Sequence, residues 1–157
     1  LVDPRFGGEY VYDVIGYNFR MTDVAAAMGL PQLRRLDGHN AARRRNAHLL
    51  TEALQDLEWL QVPLEPPGTY HVYTQYTVRV REREAFMTHL TEEGIGHKIF
   101  YPLLIPHTPA YRRLGYGGAF PAAETLTREV LSLPVHPALS ADDLQRIIDA
   151  VRRFRPR

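Results

Sequence analysis

The sequence predicts an α+β fold with helices packed on one face of a short sheet, and three observations carry that expectation. Helical apolar spacing dominates the first third of the chain, a tyrosine-, valine- and threonine-rich run occupies its middle, and a helix with a serine cap closes it. A chain of 157 residues, 45% hydrophobic and 24% charged, carries enough apolar material for the core of one ordinary domain.

Residues 1–21 mix glycines and aromatics without a helical period, and the chain opens on Leu1 rather than methionine. The stretch reads as a connection from a larger protein. Thr22 and Asp23 precede Val24 to Met28, so a side-chain oxygen is placed to cap a helix start, which Gly29 and Pro31 are expected to disturb. From Gln32 to Leu57 the apolar residues Leu33, Leu36, Ala41, Ala47, Leu50 and Leu54 recur at helical spacing. Arg34, Arg35, Arg43, Arg44 and Arg45 lie mostly between them, which predicts a long amphipathic helix bent near Gly38. Residues 22–58 therefore form a helical arm, and residues 59–157 a small α+β domain.

Trp59 to Tyr70 holds Pro63, Pro66, Pro67 and Gly68 and reads as a loop. Tyr70 to Val80 alternates as a strand, with Val72, Thr74, Tyr76, Val78 and Val80 on one face. Glu82 to Glu93 reads as a helix ended by Gly94, and Ile95 to Tyr101 as a second strand stopped by Pro102. A short helix at Ala110 to Leu114, a glycine turn at Gly115 to Gly118, a helix from Pro121 to Val130 and a short strand at Leu131 to Leu133 follow. Ser140 caps the last helix, with Asp142 and Asp143 at its positive pole and arginines at its end near Phe154.

The net charge of +1 gives little field to attract nucleic acid or an anionic membrane unspecifically. The absence of cysteine removes disulfides, thiolate metal sites and cysteine nucleophiles, and fits a reducing compartment, the cytoplasm. No apolar run reaches the roughly 20 residues a membrane-spanning helix needs. The seven histidines are scattered without a metal-ligand spacing, so no metal is expected. Nucleophile-elbow and Walker-type phosphate motifs are lacking, and Gly115 to Gly118 reads as a turn between helices.

The string Gly16-Tyr17-Asn18-Phe19-Arg20-Met21, followed by an alanine-rich helix start and Gln32-Leu33, resembles the G-Y-N-x-R-M signature of the DegT/StrS sugar aminotransferases. Tyr70-His71-Val72-Tyr73, Arg83-Glu84-Ala85-Phe86, and Gly94-Ile95 through Tyr101-Pro102 match further segments in the family's order. So do Pro109-Ala110-Tyr111, Leu114-Gly115-Tyr116, Phe120 to Glu124 and Leu131 to Pro137. The resemblance implies the C-terminal portion of a fold-type-I, pyridoxal-phosphate-dependent enzyme: a short antiparallel sheet with packed helices and a long N-terminal helical arm. It also implies a homodimer with active sites at the subunit interface, a nucleotide-linked keto-sugar as substrate and glutamate as amino donor.

The resemblance makes Asn18 the candidate contact to the cofactor phosphate, its amide donating to phosphate oxygens; the alternative is an Asx turn at the helix entrance. Tyr17 shares the motif and is either a cofactor neighbour or packing. Arg20 has two readings, a pair with substrate phosphate or carboxylate and a pair with an acidic neighbour. His107 lies one residue beyond the family's substrate histidine, a place taken here by Pro106, and reads as a substrate contact or a solvated loop residue. Tyr101 reads as a pocket wall or as core. Transamination needs a lysine amine linked to the cofactor, and the sole lysine, Lys98, falls in a predicted strand where the family does not place that group. No catalytic residue is expected in this chain, and its cofactor domain is expected on a preceding segment. A second function, a binding or regulatory module with the helical arginines as an anion-binding face, stands beside this one, and a third reading is a dimerisation element.

Overall fold

A computed structural model describes residues 19–156 and divides the chain into two units, Leu1–Arg35 and Leu36–Arg157. Helix α1 covers Asp23–Leu54. In the first unit the Thr22 hydroxyl accepts from the Ala25 amide at 3.2 Å, so the predicted cap forms. Gly29 and Pro31 do not interrupt the helix, and it is also unbroken at Gly38. Proline already has the helical φ, and its cost here is one missing N–H and a local clash, which neighbouring turns absorb. Met21, Val24, Met28, Leu30 and Leu33 are exposed.

The second unit holds a three-stranded antiparallel sheet of order β1-β2-β3, with β1 at Leu60–Gln61, β2 at Tyr76–Val80 and β3 at Val130–Leu133. The register sets Leu60 opposite Val80, Tyr76 opposite Leu133 and Val78 opposite Leu131. Those six side chains share one face and are buried. Against them lie Ala47, Leu50 and Leu54 of α1, Phe86 and Leu90 of α2 (Arg83–Glu92), and Leu144, Ile147, Ala150 and Val151 of α5 (Ala141–Arg153). Each large aliphatic residue buried there contributes about 1.5–3 kcal/mol. Trp59, Phe86 and Phe154 close the cluster with ring centroids 5.1–5.2 Å apart. On the opposite face the Thr77 and Ser132 hydroxyls meet at 2.8 Å. Asn46, 1% exposed, donates to the His136 carbonyl at 3.0 Å and ties α1 to the segment before α5.

The helix ends follow from local chemistry. The Gly94 amide bonds to the Thr91 carbonyl and the Ile95 amide to the Leu90 carbonyl, a left-handed stop that Gly94 makes with φ +69°. Ser140 and Asp143 form a reciprocal capping box at the start of α5. Two shorter helices, α3 (Pro109–Arg113) and α4 (Pro121–Glu129), begin with proline.

Three expectations are corrected. The strand predicted over residues 70–80 is confined to Tyr76–Val80, because side chains take the backbone groups that a ladder would use at His71 and Tyr73. The strand predicted over Ile95 to Tyr101 reduces to a single bridge, Lys98 to Ser132, between Gly94, Gly96 and Pro102. The loop predicted from Trp59 contains β1, two residues long and followed closely by Pro63, which has no N–H for a ladder. The bridge at Lys98 places the following loop beside β3.

Candidate functional site

Tyr17 and Asn18 lie outside the described residues. Arg20 belongs to the first unit, ahead of α1, and is exposed.

Tyr101 and His107 share the segment that leaves the Lys98 bridge. Tyr101 is 70% exposed and stands edge-on to the ring of Phe100, with centroids 5.6 Å apart, so the core reading of Tyr101 is overturned. A 3-10 turn over Ile105–His107 follows, braced by the Thr108 hydroxyl donating to the Ile105 carbonyl at 2.8 Å. His107 Nε2 lies 2.8 Å from the Gly118 carbonyl, and its ring is 6.0 Å from that of Phe120. The imidazole therefore joins the start of the loop to its end, while the Glu124 carboxylate accepts from the Phe120 amide at the entrance to α4. Gly118 has φ +108°, a conformation that a β-carbon would strain. Between these anchors Tyr111 and Tyr116 pack edge-on at 5.4 Å, and Leu103, Ile105, Leu114 and Tyr116 remain exposed. The loop is thus a braced platform with an apolar outer surface. No hydrogen bond or ring contact joins Tyr101 to His107. The one lysine is exposed, with its ammonium 5.4 Å from the Phe100 ring centroid.

A polar cluster that no sequence pattern announced lies against α1. Arg44 donates through Nη1 to Glu65 Oε1 at 2.5 Å and through Nη2 to Oε2 at 3.2 Å, and its Nη1 also reaches the His71 carbonyl at 2.6 Å. The guanidinium lies 4.1 Å from the Tyr70 ring centroid. Glu65 accepts from the His71 amide at 2.8 Å, and His48 Nε2 stands 3.5 Å from its second oxygen. Arg44 and the His71 N–H together hold the Glu65 carboxyl down to about 2. His71 Nδ1 in turn accepts from the amide of Tyr73, a buried residue with φ +48°. Burial pushes the Tyr76 phenol up to about 12, and its oxygen lies 2.9 Å from the Thr51 hydroxyl. The Glu65 carboxylate and the Arg44 guanidinium are taken up by protein partners, so the chemistry of this pair is anchorage of the loop ahead of β2. Glu65 and Arg44 are 21 positions apart, a separation at which no periodicity could have paired them.

Arg43, Arg44 and Arg45 are directed to different places. Consecutive helical residues point about 100° apart. Arg44 is spent on Glu65, whereas Arg43 and Arg45 line different pockets. Among the described residues no group of three or more His, Asp or Glu side chains is placed to hold a metal, and no helix is long and apolar enough to cross a membrane.

Comparison with known proteins gives one consistent likeness. Residues 3–152 match the DegT/DnrJ/EryC1/StrS aminotransferase family. The chain is 36% identical over 151 residues to a pleiotropic regulatory protein of Geobacillus stearothermophilus, covering 93% of this chain and 40% of that protein. It is 35% identical over 148 residues to a UDP-N-acetyl-3-dehydro-alpha-D-glucosamine 3-aminotransferase of Acidithiobacillus ferrooxidans, covering 92% and 38%. Among solved structures, DesV of S. venezuelae in complex with a ketimine intermediate superimposes with a TM-score of 0.82 at 34% identity, over 92% of this chain and 39% of that one. The chain therefore spans about 40% of the length of the relatives it matches.

Proposed function

Since this chain belongs to the DegT/DnrJ/EryC1/StrS aminotransferase family, we propose that it is the C-terminal part of a pyridoxal-phosphate-dependent transaminase acting on a nucleotide-linked keto-sugar, with glutamate as amino donor. The observation that carries the reading is agreement along nearly the whole chain, at 34–35% identity, with a UDP-sugar aminotransferase and with DesV. In this reading the enzyme is a cytoplasmic homodimer, and the cofactor domain comes from polypeptide corresponding to the part of the relatives that this chain does not span.

The described residues do not fit the cofactor by themselves. A Schiff-base lysine works from a desolvated pocket that keeps its amine nucleophilic, whereas Lys98 is exposed and lies over an aromatic ring. The chain alone is therefore proposed to be inactive, its contribution being to complete a pocket. Asn18 donates to the cofactor phosphate, Tyr17 stands beside it, and Arg20 pairs with an anionic group of the substrate. Tyr101 lines the sugar site from the braced loop. One ring nitrogen of His107 serves the Gly118 carbonyl and the other is left for substrate.

The test is co-expression of this chain, joined to the coding segment that precedes it, followed by cofactor titration and assay with a UDP- or dTDP-linked 3-keto sugar. Cofactor-dependent formation of an amino-sugar is expected. Asn18→Ala should weaken cofactor affinity roughly tenfold, the scale of one lost hydrogen bond to a charged group. An active enzyme with unchanged cofactor affinity in that variant would remove Asn18 from the phosphate site, and a longer protein without cofactor binding would remove the transaminase reading.

A second reading, a regulatory module, draws on the likeness to the pleiotropic regulatory protein. Salt-sensitive DNA binding by the longer protein, without transaminase activity, would favour it.

A further inference from the structure

A shallow pocket in the second unit is lined by Arg43, Lys98, His97, His136, Thr74 and Gln75 among its polar side chains, and no carboxylate lines it. Its two permanent cations share the pocket without an ion-pair partner, unlike five arginines elsewhere in this unit. Arg44, Arg79, Arg83, Arg152 and Arg153 are each held by a glutamate or aspartate. Among the described residues the half-buried Arg43 has no ion-pair partner, and the Lys98 ammonium has the Phe100 ring as its one side-chain neighbour. Two unneutralised cations beside one concave surface repel each other and gain from a shared anion. Thr74 and Gln75 add a hydroxyl and an amide donor, neither of which makes a side-chain hydrogen bond to another described residue. The two imidazoles add further N–H capacity: His97 Nδ1 lies 3.2 Å from the Ile95 carbonyl, and Asp143, which interacts with His136 from α5, is itself bonded to Ser140.

The elements place these groups by independent means. Arg43 comes from α1, and Lys98 is set by its two backbone bonds to Ser132 at 2.8 and 3.1 Å. Thr74 and Gln75 come from the bend between the strained Tyr73 and the start of β2, which the Arg44–Glu65–His71 cluster anchors. We propose that this pocket is an oxyanion subsite, binding a phosphate or carboxylate group of a small-molecule ligand between Arg43 and Lys98. The inference rests on the transaminase reading only for the source of the anion, which is then the diphosphate of a nucleotide sugar or a carboxylate of the amino donor.

The experiment is a 1H–15N NMR titration of this chain, without cofactor, using sodium pyrophosphate and L-glutamate separately at constant ionic strength. Saturable shifts confined to Thr74, Gln75 and residues 96–98 are expected with one of the two. Pyrophosphate alone would identify the nucleotide side of the substrate, and glutamate alone the donor. Arg43→Met and Lys98→Met should each weaken the response at least fivefold, Lys98→Arg should keep it, and Arg128→Met, an exposed arginine of the same unit that does not line the pocket, should leave it unchanged. Linear, unsaturating shifts with both anions in the wild-type chain would overturn the proposal, as would an undiminished response in the Arg43→Met/Lys98→Met double variant. Loss of dispersion in a variant does not block the decision, because the wild-type titration already makes it. Failure of the transaminase assay would leave this titration readable, and a flat titration would leave that assay standing.

Discussion

Glu65 gathers Arg44, the His71 amide and His48 around one carboxylate, and its effect on the protein is conformational. The carboxyl is held down to about 2, first by the Arg44 hydrogen bonds and then by the His71 N–H. Since the folded value lies below the ordinary 4.5, the stabilisation is complete above pH ~4.5 and is lost as pH falls towards 2. Glu65→Gln is therefore expected to lower stability at neutral pH and to flatten its pH dependence between ~4.5 and 2. Urea midpoints followed by Trp59 fluorescence at several pH values check this, and an unchanged slope would show that other carboxylates govern the acid transition. The same residue explains why tyrosines and valines at 70–75 do not continue a strand. Their β propensity was legible, but the carboxylate and guanidinium that capture the His71 N–H and C=O come from distant positions.

At the scale of elements, local rules predicted well wherever the chemistry was local. Ser140 accepts from the Asp143 amide at 3.1 Å, and Asp143 returns to the Ser140 amide at 3.0 Å, so the end of the chain announced its own helix. Ser140→Ala should cost about 1 kcal/mol, read as a lower urea midpoint with an unchanged slope. In α1 the disturbance expected at Gly29 and Pro31 does not interrupt the helix, because Pro31 removes one N–H while the turns around it keep theirs. Pro31→Ala is expected to raise stability by about 1–3 kcal/mol where that helix is cooperative with the rest, and hydrogen exchange of amides 28–35 should slow accordingly. Faster exchange there would mean that the proline serves packing rather than merely being tolerated. The residues at 95–101 mark the other limit: β-forming residues became a single bridge to β3 between Gly94, Gly96 and Pro102.

Across the whole molecule, two properties follow from where apolar groups ended. Trp59, the single tryptophan, packs on Phe86 and Phe154, so its fluorescence reports the core directly. Phe86→Ala should cost about 3–5 kcal/mol and shift that emission to the red. Met21, Val24, Met28, Leu30 and Leu33 of the first unit stay exposed, as do Leu103, Ile105, Leu114 and Tyr116 on the braced loop of the second. Exposed apolar surface of this kind belongs to an assembly in the proposed homodimeric enzyme. Sedimentation of the chain should show mass rising with concentration, and Met28→Glu with Leu33→Glu should suppress it; a monomer at every concentration would count against these residues as an interface. The sequence by itself determined the α+β class, the helix caps and the family, because periodicity, capping and motif order are carried by residues close together along the chain. Only the tertiary structure decided that Arg43, Arg44 and Arg45 serve three different places, that His107 braces its own loop and that Lys98 shares a pocket with Arg43. Those outcomes depend on which distant groups meet, and one-dimensional spacing holds no record of such meetings.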